Sequence, residues 1–133
     1  MTQVDRKTRF LVARKLDDHK ALTLRESICS SLQGLPCRSL TVDKGKEFAA
    51  HKETSADLEA PIYFRHPHSP WERPTNENTN GLLHQFFPKY TSFLEVLQEH
   101  LDWAVDLLNT RPRKCLGWKT PLQAMSEGLL HLD

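Results

Sequence analysis

Two carboxylates in contrasting surroundings are the residues of this sequence best suited to chemistry. Asp43 closes the apolar run Leu40-Thr41-Val42 and stands before Lys44-Gly45-Lys46-Glu47-Phe48. Glu77 follows the polar stretch Trp71-Glu72-Arg73-Pro74-Thr75-Asn76 and leads into Asn78-Thr79-Asn80-Gly81. An Asp at a strand end and a Glu on a helix offer hard oxygen ligands from separate rigid elements. Two divalent ions held roughly 3.5–4 Å apart for phosphoryl transfer need such a ligand set. Each residue also has an ordinary structural explanation: Asp43 before Lys-Gly can form a turn, and Glu77 can stabilise the first turn of a helix through its dipole. Glu47 and Glu72 compete for the same role.

The surrounding blocks carry a more specific signal. The stretches T-V-D-K-G-K-E-F, then H-P-H-S-P-W-E-R-P-T-N-E-N-T-N-G-L-L-H-Q-F-F-P-K, then L-N-T-R-P-R-K-C-L-G-W-K-T-P occur in that order. Together they resemble the catalytic core of transposases of the insertion-sequence-thirty family, within the DDE transposase and retroviral-integrase superfamily. The resemblance runs over residues 4–125. It implies an α/β, RNase H-like (integrase catalytic core) fold, a mixed sheet with flanking helices. It implies that Asp43 is the second and Glu77 the third acidic metal ligand, with Mg²⁺ or Mn²⁺ as cofactor. The Glu77-Asn78-Thr79-Asn80 spacing matches the superfamily's Glu-x-x-Asn and favours Glu77 over Glu47 and Glu72.

The activity implied is DNA strand cleavage and transfer, as in DNA integration, recombination and transposition. Metal-activated water exposes a 3′-hydroxyl, which then attacks target DNA, so no protein nucleophile is required. The implied partner is DNA, as element ends and as target, and the full-length protein is expected to be a homo-oligomer. Lys44, Lys46, Asn80 and His84 are expected to orient DNA or the site. Arg73, Arg111, Arg113 and Lys114 are expected to contact phosphates, with a solvated surface as the plainer explanation.

The sequence also departs from the family. No residue matches the first catalytic Asp: Asp5 lies in a segment matching the family's second strand, and Asp17 and Asp18 open a helix. Residues 1–133 are therefore expected to be one N-terminally truncated catalytic-core domain with its first central strand missing. The neighbouring strand edges would be unpaired, and the chain inactive alone. Lys44 stands where Asn is common, Pro74 where glycine is usual, and His84 where Arg is usual. The alternative is a non-catalytic DNA-binding or subunit-interaction remnant of a decayed insertion sequence.

Composition narrows the class without choosing between these readings. A hydrophobic share of 38% and a charged share of 26% fit an ordinary globular domain. The net charge of +1 gives no global case for binding a polyanion, so any such case rests on local clusters. Residues 111–119 hold Arg111, Arg113, Lys114 and Lys119 and no acid. Cys29, Cys37 and Cys115 make no Cys-x-x-Cys pair, which fits idle thiols in a reduced cytoplasm. No segment approaches the ~20 apolar residues of a membrane span. A bacterial cytoplasmic protein, nucleoid-associated when acting, is expected. His66-Pro67-His68 lacks the further ligands of a zinc site.

Periodicity predicts strands at residues 2–5 and 8–16, a helix to about residue 32, a strand at 38–42, and a helix at 47–58. A strand at 61–64, an irregular stretch at 66–75, and the helix carrying Glu77 up to residue 87 follow. Ser92 is expected to cap a long helix ending near Asn109, with Phe93, Leu97, Leu101, Ala104 and Leu108 inward and Glu95, Glu99, Asp102 and Asp106 outward. Residues 111–117 read as a basic linker, and Thr120-Pro121 opens a last helix. Trp103 is expected to pack inside and Trp118 to serve as a core or loop anchor. For Trp71 and Trp118, stacking on an unpaired base is the other possibility.

Overall fold

The structure, a computed structural model, describes residues 1–16, 20–42, 48–65, 74–87 and 96–130, with only the backbone at 74–77 and 129–130. Asp17, Asp18, Glu47, His66, His68, Trp71, Glu72, Ser92, Phe93 and Glu95 lie outside the described residues or segments. The chain divides into two compact units, Met1–Lys15 with Thr75–Asp133, and Leu16–Pro74.

In the first unit, β1 (Thr2–Val4) and β2 (Leu11–Ala13) form an antiparallel pair, Val4 opposite Leu11. The strands are shorter than periodicity predicts because the turn between them has its own bonding. Asp5 accepts the backbone N–H of Thr8 at 2.8 Å on its side chain and that of Arg9 at 2.8 Å on its carbonyl. Arg9 takes the left-handed conformation, φ 62°. β2 alternates, with Leu11 and Ala13 buried. They pack with Leu83 of α3 (Pro74–His84), with Val96, and with Leu101, Ala104 and Leu108 of α4 (Gln98–Asn109). Ala104, fully inaccessible, fits the helical spacing that faces β2.

The inward phase of α4 differs from expectation at its start. Val96 is buried and Leu97 is 56% exposed. Leu97 is the residue before the first turn, with extended backbone, and so lies outside the helical periodicity. Trp103, expected to pack, is 60% exposed and makes an edge contact with Phe86, ring centres 5.8 Å apart.

The edge of β2 that faces away from β1 is closed by side chains of α4. Asn109 accepts the Leu11 N–H at 2.8 Å and donates to the Leu11 carbonyl at 2.9 Å. Gln98 accepts the Lys15 N–H at 2.8 Å. Helix amides thus stand where another strand would pair, which answers the main-chain groups a bare edge leaves open.

α5 (Pro121–Leu130) begins as expected, with proline at its first position. The Thr120 hydroxyl accepts the Gln123 N–H at 3.1 Å, and the Gln123 side chain accepts the Thr120 N–H at 2.9 Å. This reciprocal cap satisfies two donors that the helix start would otherwise leave open. Thr120→Ala is expected to lower stability by about 1 kcal/mol in urea unfolding, whereas Thr120→Ser should change it little.

In the second unit, β3 (Leu40–Val42) and β4 (Ile62–Phe64) are parallel, Val42 opposite Phe64. α1 (Ala21–Ser31) buries Leu24 and Ile28, four residues apart on one face. α2 (His51–Leu58) is tied to α1 by a forked ion pair, Arg25 to Asp57 at 2.6 and 3.1 Å. The Arg25 hydrogen bond holds the Asp57 carboxyl below the usual carboxylate range, and burial pushes the nearby Cys29 thiol up. A depressed carboxyl stabilises the fold above its unfolded-state value near ~3.9, and this is lost as pH falls through the lower folded value. Asp57→Asn should therefore melt below the parent at neutral pH. The gap should close in acid, as thermal melts on either side of the carboxylate range would record; the pair is exposed, so the effect is small.

The two senses of pairing expected of a mixed sheet are both present among the described residues, as two two-stranded sheets. Among the described residues no helix is long and apolar enough to cross a membrane.

Candidate functional site

β3 delivers Asp43. Val42, its last residue, is buried, and its carbonyl accepts the Arg65 N–H at 2.8 Å. Asp43 therefore follows the carboxyl end of a strand in a parallel pair, the end at which open α/β sheets gather ligand-binding groups. The segment 43–47 lies outside the described residues, and with it Asp43, Lys44 and Lys46. Both flanks of that segment rest on Phe64. Val42 pairs with Phe64 in register, and the Phe48 ring meets the Phe64 ring edge-on, centres 6.4 Å apart. His51 adds a second edge contact to Phe64 at 5.0 Å, and its Nδ1 lies 3.1 Å from the Phe48 carbonyl.

α3 carries Glu77 as its fourth residue. Pro74, expected within an irregular stretch, is instead the first residue of the helix, where its fixed φ and missing N–H cost nothing. The Glu77 side chain and Arg73 lie outside what is described. Thr79 and Leu83 are buried one turn apart, which fixes the rotation of the helix. Asn80 and His84 are half-buried on the adjoining face, and the Asn80 Oδ1 accepts the Thr2 hydroxyl at 2.8 Å. With Oδ1 engaged, Asn80 can offer its Nδ2 donors to a ligand. Asp43 and Glu77 belong to different compact units.

Among the described residues no group of three or more His, Cys, Asp or Glu could hold a metal ion. The remaining predicted contacts lie on the segment after α4. Arg111 and Lys114 are exposed and Arg113 is half-buried. What reads in sequence as a linker contains a short 3₁₀ helix, Lys114–Leu116. Trp118, expected to be an anchor, is 67% exposed. The preceding Leu116-Gly117 was the available signal, since glycine there permits a sharp reversal that turns the next side chain outward.

Compared with known proteins, the chain is 39% identical over 99% of its length to the transposase InsI of insertion sequence element IS30A from Escherichia coli K12. Over nearly its whole length the chain is similar to transposases of the IS30 family. A further IS30-family relative, the transposase of element IS1086 from Cupriavidus metallidurans, is 45% identical over 95% of the chain. That of IS4351 from Bacteroides fragilis is 41% identical over 91%. The chain spans 35–38% of the length of these transposases. No family model matches it. Among solved structures, the catalytic core domain of BIV integrase superposes with a TM-score of 0.78, covering 97% of this chain and 86% of that one at 21% identity. A simian T-cell lymphotropic virus intasome chain gives the same score over 93% of this chain and 46% of its own. The fold of this chain is thus the RNase H-like fold of integrase catalytic cores.

Proposed function

We propose that this chain supplies two of the acidic ligands of a metal-dependent centre for DNA strand cleavage and transfer, Asp43 and Glu77. The near-full-length similarity to IS30-family transposases carries this reading. The position of Asp43 after the carboxyl end of a parallel strand and of Glu77 in the opening turn of α3 supports it.

Carboxylate oxygens are hard donors that suit Mg²⁺ or Mn²⁺, but two of them are too few to hold a two-ion centre. When bound, the ions lower the pKa of the attacking water and offset charge on the leaving oxygen. Asp43 and Glu77 hold the cofactor, Asn80 and His84 orient the site or the DNA beside Glu77, and Lys44, Lys46 and Arg73 bring phosphates to it. Arg111, Arg113 and Lys114 extend the phosphate contact. DNA is the substrate, and the working assembly is an oligomer of longer chains.

A third carboxylate from outside these residues is required, so the chain alone is expected to be inactive. The test is Mg²⁺-dependent nicking and joining of element-end DNA by the chain alone and by the chain joined to the Asp-bearing strand of a relative. Activity only in the joined form supports the proposal. Equal activity in both removes the need for a third ligand, and no activity in either leaves the DNA-binding remnant as the better reading.

A further inference from the structure

Residues 113–119 form a closed, internally bonded turn. The Arg113 N–H donates to the Lys119 carbonyl at 3.0 Å, and the Arg113 carbonyl accepts from Leu116 at 3.1 Å and Trp118 at 2.8 Å. Gly117 donates to the Lys114 carbonyl at 3.1 Å. Gly117 and Trp118 are consecutive left-handed residues, φ 63° and 67°. Glycine accepts that conformation freely. A bulky aromatic residue rarely does, and is held in it here by the surrounding hydrogen bonds. The outcome is an indole presented to solvent, the most exposed large apolar side chain among the described residues at 67%.

The charges around it are one-sided. Arg111 and Lys114 are exposed, Arg113 is half-buried, and none of the three forms an ion pair among the described residues. Lys119 is already matched by Glu127 of α5 at 2.8 Å. A flat apolar ring among unmatched cations suits a partner that is both aromatic and anionic. An apolar protein surface would meet the ring and leave the cations uncompensated. A base-paired duplex would meet the cations and withhold the faces of its bases.

We propose that this turn binds single-stranded or locally unpaired DNA, with the Trp118 indole stacked on a base and Arg111, Arg113 and Lys114 along the phosphates. The proposal rests on the DNA-acting reading above only for the identity of the polymer. Stacking needs no particular base because every base has a π face, so the contact is indifferent to sequence and sensitive to strandedness. The cations add a salt-dependent share.

The test is the affinity of the whole chain for a fluorescein-labelled oligo-dT and for a hairpin duplex of equal length, in buffer free of divalent metal. Trp118→Leu keeps apolar bulk and loses the aromatic face, and should weaken oligo-dT binding at least about tenfold. Trp118→Phe should stay within about threefold of the parent, and neither change should move duplex affinity by more than about threefold. Arg113→Gln should lower the slope of log affinity against log salt by about 0.7 on the single strand. Equal oligo-dT affinity in the Leu and Phe chains overturns the proposal, whether both are weak, as an apolar protein contact would give, or both unchanged. Failure of the parent to bind oligo-dT also overturns it, as does equal loss on single strand and duplex. If the Leu chain does not fold, Trp118→Gly, favoured at this φ, replaces it with the same expected loss. Because no metal is present, failure here leaves Asp43 and Glu77 untouched, and inactivity of the carboxylate centre leaves this binding intact.

Discussion

Asn109→Ala is expected to lower the free energy of unfolding by about 2–4 kcal/mol, a large part of the ~5–15 kcal/mol typical of a domain. The side chain is buried and makes two hydrogen bonds to the main chain of Leu11, one as donor and one as acceptor. Truncation removes both and strands the Leu11 N–H and C=O in the apolar cluster that Leu11 shares with Ala104 and Leu108. The penalty is mainly the desolvation of those orphaned groups rather than the lost bonds themselves. Gln98→Ala is the comparison, since it acts on the same edge of β2 but sits half-exposed. Water can replace its amide, so about 1 kcal/mol or less is expected there. Urea unfolding followed by circular dichroism measures both. A loss at Asn109 no greater than at Gln98 would show that the amide pair does not hold the strand.

The other large effect concerns the carboxylates. In the chain joined to the Asp-bearing strand of a relative, Asp43→Asn and Glu77→Gln should each reduce Mg²⁺-dependent strand cleavage by at least about 100-fold. That exceeds the 10- to 100-fold range usual for residues that only support a metal ligand. Each change keeps the side chain's size and removes the anionic oxygen a hard cation requires. Glu47→Gln and Glu72→Gln, the neighbouring acids, should retain most of the activity. Stabilisation by Mg²⁺ or Mn²⁺ in a thermal melt should vanish with cleavage, because a cation that binds only the folded state raises its stability by mass action. Cleavage that survives either of the first two changes removes that residue from the site.

How far the sequence could be read depended on the range of each signal. Leu24 with Ile28, and Leu101 with Ala104 and Leu108, are spaced by the helix itself, and their burial follows from local periodicity. The cap at Thr120 is likewise local, written within four residues. Asn109 was read only as the end of a helix, because its partner Leu11 lies 98 positions away and nothing near Asn109 announces it. Trp103 and Trp118 depart from expectation for a related reason. An aromatic residue goes inside only if neighbours arrive to cover it; Phe86 meets Trp103 edge-on, and Trp118 is left 67% exposed. For the candidate site, the strand end before Asp43 and the helix around Glu77 were legible as elements. The choice of these acids over Glu47 and Glu72 came from family resemblance and not from pattern.

The amide that closes β2 also gives the chain a chemical clock. Hydrolysis of the Asn109 side chain to a carboxylate would replace its donor with an oxygen facing the Leu11 carbonyl, two acceptors with no proton between them. While the fold is intact, burial keeps water from that carboxamide. Each unfolding episode lifts the protection, so repeated heating should leave a growing fraction, heavier by the mass of one deamidation, that no longer returns to the native state on cooling.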